Sequence, residues 1–402
     1  MVTALRRSSS RRIRMMNVLI FTFLTILFLV SVTASQQCVD EDGDNVDWYV
    51  MYKLPRQKES DNEREREGLA YMYITSRTLD TEGWRMSSLS IGDEDSIPGR
   101  TLAPVVHSEN MAQDLLWLLY NDQPPNSSKG GVVNVTSSLE QGGDPPTPDT
   151  TKYGHTKGAV LTDGETGFWL VHSVPHFLDV TSPKDREGDA DGPRYSYPAT
   201  GEHFGQSFLC ITLEKDALEE VGRQLTYNEP MVYAFSVPDS LSREFPELSS
   251  AARENRVTSS PWFRQAEITS VGGRKFLSFA KAGSFGKELY GDWVATALRA
   301  NLLVESWRNG RGKLDSLCNR PHWVENVASI GLGSTTFKTT QDHSKWAVAD
   351  EEEGDGAWTC VGDINRMESQ EERGGGTVCT EDALLWKAYR NSIKEVEACP
   401  IN

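Results

Sequence analysis

Two stretches of this 402-residue chain repeat one another. The first reads HTKGAVLTDGETGFWLVHS, from His155 to Ser173, and the second HSKWAVADEEEGDGAWTCVGDIN, from His343 to Asn365. Each runs through His-x-Lys, a short apolar strand, an acidic turn bearing glycine, and a strand carrying Trp. His155 and Trp169 stand 14 positions apart, His343 and Trp358 15. The same hairpin occurring twice predicts two pseudo-two-fold halves that face one another. On a strand, residues two apart project to the same side. His155 therefore points with Lys157, and His343 with Lys345.

Two imidazoles flanked by two ammonium groups suit phosphodiester cleavage in two displacements. A neutral imidazole attacks phosphorus and forms a phosphohistidine; a protonated one donates to the leaving oxygen and then activates water. The lysines hold the charge on the non-bridging oxygens, the place a divalent cation fills in many nucleases. No Asp/Glu/His cluster in the sequence reads as a metal site, so neither metal nor cofactor is predicted. One histidine must be neutral and the other charged. Since imidazole titrates near pH 6.5, an acidic compartment fits.

The beginning of the chain agrees with such a destination. Arg6, Arg7, Arg11, Arg12 and Arg14 precede an apolar run from Val18 to Val32, and Val32-Thr33-Ala34 offers small residues for cleavage. Residues 1–34 are predicted to be a signal peptide and 35–402 the mature domain, with approximate halves 35–225 and 226–402. The apolar run is shorter than the roughly 20 residues that span a bilayer, so no stable membrane association is predicted after cleavage. Six cysteines behind such a leader (Cys38, Cys210, Cys318, Cys360, Cys379 and Cys399) predict three disulfides. None forms a C-x-x-C pair. Asn126 and Asn134 head glycosylation sequons in a polar stretch. Lysosomal delivery and secretion both remain open, as do monomer and homodimer.

The pattern along the chain is α/β. Val46–Leu54, Leu69–Ile74, Ala159–Leu161, Phe168–Val171, Phe208–Leu213 and Met231–Phe235 read as strands. Asn110–Tyr120, Asp216–Gln224 and Glu381–Val396 read as helices, and Trp293–Trp307 as either a helix or a buried strand. The charge runs Glu63–Glu67 and Asp350–Asp355 read as solvated turns. Gly283–Lys287 lacks the spacing of a phosphate-binding loop.

Long ordered motifs now resemble a known family. VDWYVMYKLP (Val46–Pro55), LLYNDQPP (Leu118–Pro125), GHTKGAVL (Gly154–Leu161), GFWLVHSVPHF (Gly167–Phe177), QLTYNEPMVY (Gln224–Tyr233), DHSKWAV (Asp342–Val348), WTCVGDINR (Trp358–Arg366) and RGGGTVC (Arg373–Cys379) are similar to those of deoxyribonuclease II, within the phospholipase D superfamily. The resemblance implies two phospholipase D-like halves with mixed sheets flanked by helices and one active site between them. It implies metal-independent endonucleolysis of double-stranded DNA at acid pH, sequence-indifferent, leaving 3′-phosphate and 5′-hydroxyl ends. His155, Lys157, His343 and Lys345 are then the catalytic set, with Asn365 on phosphate. Superfamily analogy leans to His155 as nucleophile. The resemblance also implies the pairs Cys38–Cys210, Cys318–Cys399 and Cys360–Cys379.

The superfamily motif continues as His-x-Lys-x(4)-Asp. Asp350 fits the second copy, whereas the first has Thr162 with Asp163 one place on, so Asp350 and Asp363 both stay open as the carboxylate orienting a histidine. His172 is a second candidate for phosphate contact, ahead of His176, His107, His203 and His322. Arg373 before Gly374-Gly375-Gly376 reads equally as a phosphate-binding turn or a plain one. A net charge of −17 requires the DNA groove to be locally positive. Two rivals remain: a phospholipase D-type lipid phosphodiesterase using the same four residues, and a non-catalytic secreted DNA-binding glycoprotein.

Overall fold

A strand with no polar alternation needs cover on both faces, and WYVMYK has it. In the computed structural model Trp48, Val50 and Tyr52 enter one apolar cluster while Tyr49 and Met51 enter another. The structure describes residues 35–106, 114–125, 133–134, 150–180, 195–351 and 356–397. Residues 1–34, Asn126 and Cys399 lie outside these, and with them the predicted leader, one sequon and one disulfide. Asn134 falls in the short strand Val133–Asn134.

Two nine-stranded sheets form an α/β fold. The first is ordered Arg85–Met86, Tyr71–Thr75, Trp48–Lys53, Gln206–Glu214, Thr166–His172, Lys157–Thr162, Leu116–Asn121, Val232–Ser236 and Val133–Asn134. Its last pairing is parallel and the others antiparallel. The second is ordered Phe263–Thr269, Lys275–Lys281, Gly375–Glu381, Trp358–Gly362, Trp346–Ala349, Leu302–Glu305, Val324–Leu332 and Thr335–Lys338, with Ile393–Val396 against Val324–Leu332. Leu302–Glu305 runs parallel to Val324–Leu332, so this sheet is mixed. Each His-x-Lys hairpin is central to its sheet. A third antiparallel strand flanks each hairpin, Gln206–Glu214 in one case and Gly375–Glu381 in the other, and leads into a helix.

Those helices, Lys215–Asn228 and Ala383–Ser392, bury Leu218, Val221 and Leu225, and Leu385, Ala388 and Tyr389. All six join the largest apolar cluster, which also takes side chains from both sheets. Asp382 starts the second helix by accepting the N–H groups of Leu384 and Leu385, each at 2.9 Å. The helix Ile97–Val106 covers the other face of the first sheet, and the turns Tyr290–Leu298 cover that of the second.

Several expectations are corrected. Leu116–Asn121 is a strand, not part of a helix through Tyr120. Its apolar run fills both clusters, which mimics helical spacing. Residues 110–113 lie outside the described set. Trp293–Trp307 divides into helical turns to Leu298 and the strand Leu302–Glu305. The C-terminal helix stops at Ser392, and Ile393–Val396 is a strand. Glu63–Glu67 is a short helix with Glu65 buried, accepting from Ser60 and Thr335 hydroxyls. Disulfides join Cys38 to Cys210 and Cys360 to Cys379; Cys318 is also disulfide-bonded. Among the described residues no helix is long and apolar enough to cross a membrane.

Candidate active site

Both His-x-Lys segments sit at the mouth of a central strand, with each histidine's main chain tied to the opposite sheet. Lys157 opens its strand, His155 lying just before it, and His343-Ser344-Lys345 precedes Trp346–Ala349. The His155 N–H donates to Gly374 O (2.8 Å), beside the strand Gly375–Glu381. The His343 N–H donates to Gly205 O (2.9 Å), beside the strand Gln206–Glu214. Glycine at 205 leaves room for Asp342, whose Oδ1 a Cβ there would strike.

The ring of His155 is held by a carboxylate. Its Nδ1 lies 2.8 Å from Asp122 Oδ2, which assigns the proton to Nδ1 and the lone pair to Nε2. Asp122 also accepts from Lys157 Nζ and, at 3.0 Å, from Arg373 Nη2. Burial opposes ionisation of Asp122, but His155, Lys157 and Arg373 around it hold its carboxyl well below the usual range. Arg373 is itself fixed by the carbonyls of Tyr153 (3.0 Å) and Gly154 (3.2 Å). Asn365 Nδ2 faces His155 Nε2 at 3.2 Å.

His343 is held differently. Its Nδ1 donates to the Ser173 carbonyl at 2.9 Å and lies 3.3 Å from Gln206 Oε1. The indole of Trp307 packs edge-on, with ring centroids 5.3 Å apart. Lys345 Nζ donates to the His343 carbonyl. Ser173 fixes Gln206 by donating to Oε1 at 2.6 Å, while the Gln206 Nε2 donor is buried without a partner.

These residues share one electrostatic environment. The charge of Lys345 acts on His155, and those of Lys157 and His155 act on His343. Burial, above all, lowers the His155 imidazolium to about 3, with Asp122 opposing and Lys157 adding to the effect. His343 is lowered well below its ordinary value by burial, then by Lys345 and Lys157. His155 and His343 are both buried, with 8% and 9% of the residue exposed. Burial, then Lys157, also lowers the Lys345 ammonium well below its ordinary value, with Asp122, Asp342 and Asp363 opposing.

The other candidates fall as follows. His172 ends the strand Thr166–His172, accepts the Val174 N–H (3.1 Å) and packs its ring on Phe177 and Phe208. It lies within the fields of Lys157 and Lys345. Asp350 ion-pairs with Arg390 at 3.1 Å, and Asp363 accepts the Gly376 N–H at 2.8 Å. Neither bonds a histidine, but Asp363 lies within the fields of Lys157, Asp122 and Lys345, and burial raises its carboxyl to about 6. Sequence reasoning missed Asp122 and the side-chain role of Arg373. Asp122 lies within LLYNDQPP, which is the one signal that singles it out. Among the described residues no group of three His, Cys, Asp or Glu is placed to hold a metal.

A family model described as deoxyribonuclease II matches residues 37–399. The chain is 39% identical over 365 residues to deoxyribonuclease-2-alpha of Rattus norvegicus, covering 90% of this chain and 94% of that protein. It is 37% identical over 388 residues to plancitoxin-1 of Acanthaster planci (95% and 99%) and 34% identical over 395 to deoxyribonuclease-2-beta of Homo sapiens (96% and 99%).

Proposed function

Because this chain belongs to the deoxyribonuclease II family, we propose that it is an acid endonuclease that hydrolyses double-stranded DNA through a phosphohistidine, with no metal. The observation that carries this reading is the convergence of two histidine–lysine couples, far apart in sequence, into one buried electrostatic unit. The working domain is residues 35–402, its two phospholipase D-like halves meeting near residue 225, with residues 1–34 removed on the way to lysosome or exterior.

In the first displacement His155 Nε2 attacks phosphorus and the bond to the 5′-oxygen breaks, His343 giving that oxygen its proton. In the second, His343 takes a proton from water, whose oxygen replaces His155 on phosphorus. The products are a 3′-phosphate and a 5′-hydroxyl. The different partners of the two rings support this division of roles. Asp122 offers a full negative charge to His155, which becomes cationic on phosphorylation; His343 Nδ1 faces only neutral acceptors, the Ser173 carbonyl and Gln206 Oε1, with the Lys345 ammonium 3.1 Å away, so its proton is more readily given. Lys157, Lys345 and Asn365 take the non-bridging oxygens, with the free amide N–H of Gln206 as a further donor. His172, within the fields of Lys157 and Lys345, is a second candidate for phosphate contact. The expected result is plasmid nicking at pH 5 in excess EDTA, with 3′-phosphate termini by end-labelling. Dependence on a divalent cation, or 5′-phosphate ends, overturns the reading.

A pH dependence of binding follows from the depressed histidines. In the empty site the lysines oppose an imidazolium. An arriving phosphodiester anion offsets them, raises the histidine affinity for protons, and draws one in. At fixed salt, DNA affinity of the inert His155→Ala protein should rise on acidification between pH 7 and 5, by up to about tenfold per unit for one proton. Fluorescence anisotropy measures it; a flat profile removes the coupling.

A further inference from the structure

Behind His343 lies a second buried group that the cleavage scheme does not use. Glu305 ends the strand Leu302–Glu305 and is fully buried, and among the described residues neither of its carboxyl oxygens has a hydrogen-bond donor. The carboxyl that acts on it most strongly is that of Asp342. Asp342 has donors of its own: the Tyr52 hydroxyl, the Ser344 hydroxyl at 2.6 Å and the Ser344 N–H at 3.1 Å. Two carboxyl groups in contact and out of water cannot both be charged. With three donors on Asp342 and none on Glu305, the proton belongs to Glu305.

We propose that Glu305 is a positioning residue for His343: as a neutral carboxylic acid it donates its proton to Asp342 and so fixes the segment from Asp342 to Lys345 against the strand Trp48–Lys53. That segment carries one histidine and one lysine of the site, so the inference rests on the nuclease reading for its functional consequence. The charged and titratable groups facing the pair are Arg308 and Lys345 on Glu305, Lys345 and Lys53 on Asp342, and Tyr52 against both. Arg308 is itself ion-paired with Glu397. Burial, then Asp342, raises the Glu305 carboxyl well above its ordinary value of 4.5, with Arg308 and Lys345 opposing. A carboxyl raised on folding stabilises the protein fully below its unfolded value, and that contribution is lost as the pH climbs through the folded one. Glu305 therefore favours the assembled site in acid and loosens it toward neutrality.

Glu305→Gln keeps a donor of the same shape but cannot ionise. It should nick DNA at pH 5 within about threefold of the parent. Its activity should fall less steeply than the parent's as the pH rises from 5. Its Tm should fall less than the parent's between pH 5 and 8. The buried histidines impose the opposite slope, but both proteins share it, so the difference isolates Glu305. Glu305→Ala, lacking a donor, should lose tenfold or more at pH 5, roughly the worth of one buried bond to a charged group. Two results overturn the proposal: identical pH dependence of Tm in parent and Glu305→Gln, or a folded Glu305→Gln as impaired at pH 5 as Glu305→Ala. If the parent itself fails to nick DNA, the nuclease reading falls while the Tm comparison still decides where the proton sits.

Discussion

His155→Ala and His343→Ala each lose plasmid nicking at pH 5 by about 10⁴-fold or more, the scale seen when one member of a catalytic unit is removed. The two losses differ in kind. With a substrate whose leaving group is an acidic phenol, the first displacement needs no proton donor. His343→Ala then releases one equivalent of phenol rapidly and stalls as the phosphorylated protein, because nothing activates the water. His155→Ala gives no burst, having no nucleophile. Acid-quenched protein digested and mapped by mass spectrometry should carry the phosphoryl group on the peptide with His155. A label on the His343 peptide reverses the roles; nicking that survives either substitution removes that histidine from the mechanism.

Asp122→Asn should lower kcat by about 10³–10⁴-fold although its shape is unchanged, since an amide no longer enforces the tautomer with the lone pair on Nε2. The same substitution removes the anion shared by Lys157 and Arg373. Leaving buried cations without their counter-charge costs about 3–5 kcal/mol, read by urea unfolding at pH 5. Because the Asp122 carboxyl is held well below the ordinary range, it stays charged through mild acid and its own titration does not shape the activity profile there. A folded Asp122→Asn protein within tenfold of the parent refutes this role.

Much of the candidate site was legible because its motif is written twice. His-x-Lys, a strand, a turn and a second strand recur, and in each case a third sheet strand leading into a helix follows. The partners of the histidines were not legible. Asp122 lies 33 residues before His155 and Arg373 lies 218 after it, so no local spacing links them. Both oriented histidines depend on sheet ends meeting, which is a tertiary fact. The misreading of Leu116–Asn121 has a simpler cause. A strand covered on both faces loses its period of two, and a short apolar run then looks like one side of a helix. Ile393–Val396 failed for the opposite reason: it extends a helical segment without a proline or glycine to mark the change.

The cross-ties have a bearing on how the protein is made. His155 emerges from the ribosome more than two hundred residues ahead of the arginine and the glycine carbonyl that hold it, and His343 is locked by main chain made long before it. Neither half can mature its own histidine. A chain interrupted ahead of residue 373 has the letters of the motif but lacks the arginine and the glycine carbonyl that hold His155, so the candidate site cannot form before that segment is made.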